Sequence, residues 1–151
     1  MGDASIVRAM LQPAIALVLW TFVMWVWLYA TRIPAIRRQR VKLSPTQTKD
    51  AMNAQLSPEV RWKADNYNHL HEQPTLFYAV AISLTVLGVH DATSVGLAWA
   101  YVGLRVVHSL VQATINVIIL RFSLFALGSV VLAALAIRAA AAVFSGPGPT
   151  P

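Results

Sequence analysis

Tyr101, Arg105, His108 and Gln112 recur at steps of four, three and four residues through an otherwise apolar run. That spacing puts all four on one face of a helix. Arg61, Asp65, Asn68, His69 and Glu72 make a second polar face, which Leu76 and Ala79 continue into apolar sequence. The chemistry available to such sets is charge pairing and hydrogen bonding, between helices or to a shared ligand. Arg105 and Arg61 supply guanidinium donors, Glu72 a carboxylate acceptor, and Asn68, His69, His108 and Gln112 offer hydrogen bonds. Arg121, read as standing just before the last apolar segment, would add its charge to the unpaired amides and positive dipole end of a helix N-terminus. The plainer reading of Arg121 is a snorkelling arginine at a membrane boundary. His69, Glu72 and His108 also form a two-histidine, one-carboxylate set. The Glu-x-x-His spacing of di-iron bundles is absent, the order here being His-x-x-Glu, so no metal site is assigned.

An ionisable group at the centre of a membrane helix costs roughly 2.5 to 3.5 kcal/mol on insertion scales. The two polar faces must therefore meet each other, or share a ligand. In the packing version Glu72 pairs with Arg105, while Asn68 and Gln112 bond neighbouring helices. The ligand version uses the same residues as a binding surface.

The elements that carry these faces are apolar. The chain has 151 residues, 57% hydrophobic and 12% charged, which is the composition of an integral membrane protein. Ile6 to Tyr29 is nearly uncharged and long enough for the ~30 Å hydrocarbon core. Its tryptophans suit an interfacial belt, and no cleavage site follows a basic leader, so it reads as a retained span. Leu70 to Val89, Val95 to Thr114 and Phe122 to Phe144 supply three more, joined by the turns "HDAT" and "NVIILR". The expected fold is an all-α membrane protein, one four-transmembrane-helix bundle over residues 1–144, with a disordered Pro/Gly tail at 145–151.

Most basic residues lie between Thr31 and Lys63, although the net charge of +6 could suggest nucleic acid. That placement favours topology, with this loop cytoplasmic and both termini on the periplasmic side of a bacterial inner membrane. No nucleic-acid partner is expected. Ser57 before Pro58 predicts that the second helix begins well below the membrane and runs unbroken into it. Arg8 and Arg138 read as snorkelling or interhelical residues, and His71 and His90 receive no role. The absence of cysteine means that thiol chemistry must come from a ligand.

"NHLHEQPTLFYAV" and "GLRVVHSLVQATINVIILR" together resemble the MAPEG superfamily, the membrane-associated proteins of eicosanoid and glutathione metabolism, in its bacterial branch. Glu72, Pro74 and "LFYA" match the opening of the family's second helix. Arg105 and His108 match its third, and Arg121 the arginine at the head of its fourth. The resemblance runs from about Arg61 to the fourth helix. It implies a homotrimer of four-helix bundles with glutathione bound between subunits on the cytoplasmic side. The chain departs from the pattern at His69, where the family usually has asparagine and where Asn66 and Asn68 stand nearby as substitutes, at Gln112, where eukaryotic members have tyrosine, and at Phe122 and Phe125, where hydroxyl residues are usual.

Taken over to these residues, the resemblance implies a glutathione-dependent transferase or peroxidase acting on lipophilic electrophiles that enter from the bilayer. Arg121 would stabilise the thiolate. Arg61, Lys63 and Arg105 would hold carboxylates, Glu72 the α-amino group, and Asn68, His69, His108 and Gln112 the rest of the peptide. The alternative is a non-catalytic membrane subunit whose polar faces fix helix packing and whose "RRQRVK" loop docks a partner or anionic lipid.

Overall fold

The computed structural model describes residues 2–89 and 91–145, with side chains from Arg8 onward; His90 and residues 146–151 of the expected tail lie outside the described residues. Six helices and no strand occur among them: α1 (Gly2–Arg38), α2 (Lys49–Asn53), α3 (Pro58–His69), α4 (Gln73–Val86), α5 (Ala92–Thr114) and α6 (Ile118–Phe144). Three of these, α1, α5 and α6, are long and apolar enough to cross a membrane.

The expected helix ends are corrected in several places. The first helix runs on past Tyr29 to Arg38. Nothing in Thr31 to Arg38 except Pro34 opposes a helix, and α1 carries that interior proline as it carries Pro13. The second helix does not run unbroken from Ser57. It stops at His69 and restarts at Gln73. Pro74 disfavours helical geometry in the residues before it, and the gap is closed by short bonds from the His71 amide to the Asn68 carbonyl (2.9 Å) and from the Thr75 amide to the Glu72 carbonyl (3.2 Å). The apolar part, α4, has 14 residues and spans about 21 Å, short of the hydrocarbon thickness. Ser57 does open α3 with extended backbone ahead of Pro58, but its side chain makes no capping bond. The turn before α6 is only residues 115–117, so Arg121 is the fourth residue of that helix and not the residue ahead of it.

α5 ends at Thr114, and Asn116 two residues beyond it has a left-handed φ of 50° and an amide that bonds the Val111 carbonyl at 2.7 Å. Asparagine tolerates this conformation better than most residues, which makes it a natural helix stop. At the other end Asp91 caps α5, accepting from the amides of Thr93 (3.0 Å) and Ser94 (3.2 Å).

Met10, Leu17 and Met24 of α1, Phe77, Ala81 and Leu84 of α4, Ala98 and Tyr101 of α5 and Leu135 of α6 form the fully buried core. The Phe77 and Tyr101 rings stack at 4.5 Å between centroids. Ile15, Leu19, Phe22 and Val26 face outward along α1. In a bilayer these outward residues meet lipid, so the helices are held by close packing and by polar seams more than by desolvation. Outside the apolar zone a small second cluster of Ala35, Val41 and Leu56 folds the α1–α3 connection back on itself. Arg32 donating to Asn53 (2.7 Å) and the Ser57 amide donating to Gln39 (3.1 Å) fasten it.

Candidate functional site

The face predicted for α5 is buried. Arg105 is 2% exposed, and His108 and Gln112 are 3% exposed. Tyr101 accepts from Arg105 Nε at 3.1 Å and stands 3.4 Å from Gln73 Oε1, while Gln73 Nε2 donates to Ser129 at 2.7 Å. This seam joins α4, α5 and α6. The Arg105 guanidinium also lies 5.7 Å from the Tyr101 ring centre and 5.4 Å from that of Phe125, so two aromatic faces share its charge. Arg105 Nη2 is buried without a partner, as are Gln112 Oε1 and Arg121 Nε.

Glu72 does not pair with Arg105. Its Oε2 accepts from His69 Nδ1 at 2.6 Å. No ion pair to Arg105 is present among the described residues. The asparagine that joins α3 to α5 is Asn66, 1% exposed and donating to Ser109 at 2.7 Å, whereas Asn68 is exposed and has no side-chain bond. Lys63 turns away from the polar face. Its ammonium donates to the carbonyls of Glu59 (2.8 Å) and Ala113 (3.1 Å) and sits 5.4 Å from the Trp27 ring, which caps the end of α5. Partial burial there holds its pKa below the usual lysine value, against the opposing pull of Glu59.

Two cavities flank the start of α6. One, of about 270 Å³, is walled by His69, His108, Ile118, Arg121, Phe122 and Phe125 and is mainly apolar. The other, of about 390 Å³, is polar and lined by Asp50, Asn53, Arg61, Trp62, Asp65 and Asn116. Arg121 Nη1 donates to Asn116 Oδ1 at 2.5 Å, so one partner of this bond lines each cavity. The His69 ring lies 5.2 Å from His108 and 5.5 Å from Phe125. A third cleft of about 210 Å³, between α1 and the α3–α4 break, includes His71 and none of the predicted site residues. Among the residues described, no group of three or more acidic, histidine or cysteine side chains is placed to hold a metal.

The structure thus brings together His69, His108 and Arg121, with Arg105 behind Phe125. It puts Arg61 in the adjoining cavity and turns Lys63 out. Asn116 and Ser109 were not anticipated. An asparagine just beyond the last periodic residue of α5 is a helix-stop signal from which Asn116 could have been found. Ser109 gives no such signal, serine being common in any sequence. Val117 opens α6 without a side-chain cap, which leaves the first amides of that helix uncapped beside Arg121.

A family model described as the MAPEG family matches residues 10–141. No curated protein and no solved structure matches the chain.

Proposed function

The chain belongs to the MAPEG family, which makes it a membrane protein of the glutathione and eicosanoid metabolism superfamily, and from that premise we propose a glutathione-dependent transferase or peroxidase acting on lipophilic electrophiles. The observation that carries this reading is the Arg121–Asn116 bond, of which Asn116 lines the polar cavity and Arg121 the apolar one. A charged tripeptide suits the polar side and a lipophilic molecule the apolar side. Their reacting atoms would then meet at Arg121. A free thiol ionises near pH 8.5 and attacks as thiolate, and an opposite charge within ~4 to 6 Å lowers such a pKa by about 1 to 3 units. Arg121, with a buried Nε lacking a partner, is suited to supply that charge.

Arg61 would take a glutathione carboxylate. Glu72 is engaged by His69, and Asp65, beside Arg61, is the acidic group that the polar cavity offers to the α-amino group. Arg105 carries a buried charge without an anion of its own, which fits a ligand carboxylate or a neighbouring subunit. The reading includes a homotrimer, with α3 and α4 together serving as the second of four spans, the basic loop cytoplasmic and the chain in a bacterial inner membrane. The Asn66–Ser109 and Gln73–Ser129 bonds favour, for part of both polar faces, the packing role of the alternative membrane-subunit reading.

The test is calorimetric titration of glutathione into the detergent-purified protein. Saturable binding that Arg61→Ala weakens is the expected result. Absence of saturable binding rejects the enzyme and leaves the packing subunit.

A further inference from the structure

We infer that His69 is the general base of this site, oriented by Glu72, and takes the thiol proton while Arg121 holds the resulting thiolate. The inference rests on the glutathione reading above and gives it a proton acceptor that Arg121, permanently charged, cannot be.

The geometry is that of a carboxylate–imidazole pair at a cavity wall. A carboxylate only accepts, so the 2.6 Å contact requires Nδ1 of His69 to carry the proton and donate it to Glu72 Oε2. Nε2 is then the lone-pair nitrogen, and it has no partner among the described residues. The ring that bears it helps to wall the 270 Å³ cavity shared with Arg121. A histidine whose tautomer is fixed by a carboxylate and whose other nitrogen is free is arranged for proton transfer. A merely packed histidine needs no such partner.

The α3–α4 break makes the pairing. With Pro74 forcing the helix to stop, His69 ends α3 and Glu72 stands as the residue before α4, its φ and ψ of −92° and −99° outside helical geometry. Only two residues separate them, and the turn between the helices brings the carboxylate onto the ring. Glu72 remains solvent-accessible at 62% of its side chain, while His69 is 23% exposed. The pair therefore bridges water and cavity, and a proton on the imidazole has a route out. The charged and titratable groups around the ring are Glu72 beside it, His108 and Arg105 from α5, and Arg121 from α6. Arg32 of α1 is bonded to Asn53 instead.

The step balances without a further reagent. The S–H bond breaks as the N–H bond of Nε2 forms, giving thiolate and imidazolium. The thiolate then bonds the electrophilic carbon, the leaving group departs with its electron pair, and the imidazolium returns its proton to that group or to water.

The test is His69→Asn, which keeps a hydrogen-bonding side chain but cannot take a proton, assayed in detergent with glutathione and a lipophilic aryl halide. Expected is retained glutathione binding with conjugation at neutral pH down by about 10²-fold, the usual scale of general-base catalysis. The deficit should shrink as pH rises toward the thiol's own ionisation. Glu72→Gln should give a smaller loss on the same pH profile, as a positioning residue would. His69→Ala supplied with free imidazole should recover part of the rate. A His69→Asn protein that binds glutathione with unchanged rate and pH profile overturns this inference alone. A wild type that binds no glutathione removes the functional reading and this inference with it.

Discussion

Arg105 is where the packing and ligand readings part company. Its guanidinium is buried in a chain segment that crosses the membrane, it has no carboxylate partner among the described residues, and one of its terminal nitrogens bonds nothing. Replacing a buried charge by an apolar group of similar volume is often neutral or stabilising, whereas a charge kept to hold an anion is missed by the ligand. Arg105→Met should therefore leave the melting temperature in detergent unchanged or raised while weakening glutathione binding by about tenfold or more, some 1.4 kcal/mol. Loss of stability with unchanged binding would assign Arg105 to packing. Arg121 makes the complementary prediction. Arg121→Ala should keep the oligomer and move the bound-thiolate absorbance to higher pH by about 1 to 3 units, and Arg121→Lys should recover part of that shift without the forked geometry. Thiolate formation at wild-type pH in Arg121→Ala would exclude its role. The α5 residues of the site were legible because a polar triad at helical spacing is conspicuous in an apolar run. The partners that complete the seam, Gln73, Ser109 and Ser129, are residue types too ordinary to announce themselves.

Helix ends record what spacing cannot. A face drawn from Arg61 to Glu72 at constant angle assumes one continuous helix, and the stop at His69 breaks that phase. This is why Glu72, placed on the face by helical spacing, meets His69 instead, whereas Lys63, about 200° from Arg61 on the same helix and assigned a ligand only through the resemblance, caps α5. Pro74 was visible in the sequence, but a proline near a helix start can open a helix as readily as interrupt one, and only the packed structure decides which. The far end of α5 was better marked, since Asp91 ahead of Thr93 and Ser94 is a strong capping sequence. There Asp91 Oδ2 also accepts from Arg138 Nη2 at 2.6 Å and from Ser94 Oγ at 2.9 Å, and Arg138 Nε donates to Ser94 at 2.8 Å. Arg138 is thereby an interhelical latch between α5 and α6. Bonds from Ser94, and then the Arg138 guanidinium, lower the Asp91 carboxyl from 3.8 to about 2. A depressed carboxyl stabilises the fold fully above its unfolded value, and the contribution disappears as pH falls through the folded one. Asp91→Asn should accordingly lower the melting temperature at pH 7 and match the wild type once the pH drops below about 2. Equal melting temperatures at pH 7 would show that the latch contributes nothing, as many exposed ion pairs do.

At the scale of the molecule, charge marks the two ends of the long helices. Arg37, Arg38, Arg40 and Lys42 sit exposed at the end of α1, close to where α3 begins, while the latch of Asp91 and Arg138 lies at the opposite end of α5. With a bilayer between those ends, the proposed topology has the basic segment on the cytoplasmic side. A cysteine introduced at Ser44 should then resist a membrane-impermeant thiol reagent in intact cells and react after lysis; labelling before lysis would reverse the topology. The proposed trimer draws its support from a different observation. α4 is about 21 Å long, too short to shield its neighbours through the whole hydrocarbon layer. Ile118, Ile119 and Phe122 project at the start of α6 beside the apolar cavity, exposed at 76%, 79% and 70%. Lipid would cover those apolar side chains without closing the cavity beside them, whereas a second copy of the chain could do both. Native mass spectrometry from detergent should find the 16.5 kDa chain predominantly as a homotrimer. Ile118→Asp together with Phe122→Asp should shift it to monomer and abolish glutathione binding in the same step, because the site would lose the wall that a neighbour provides. A wild-type monomer that binds glutathione with full thermal stability would reject the shared site.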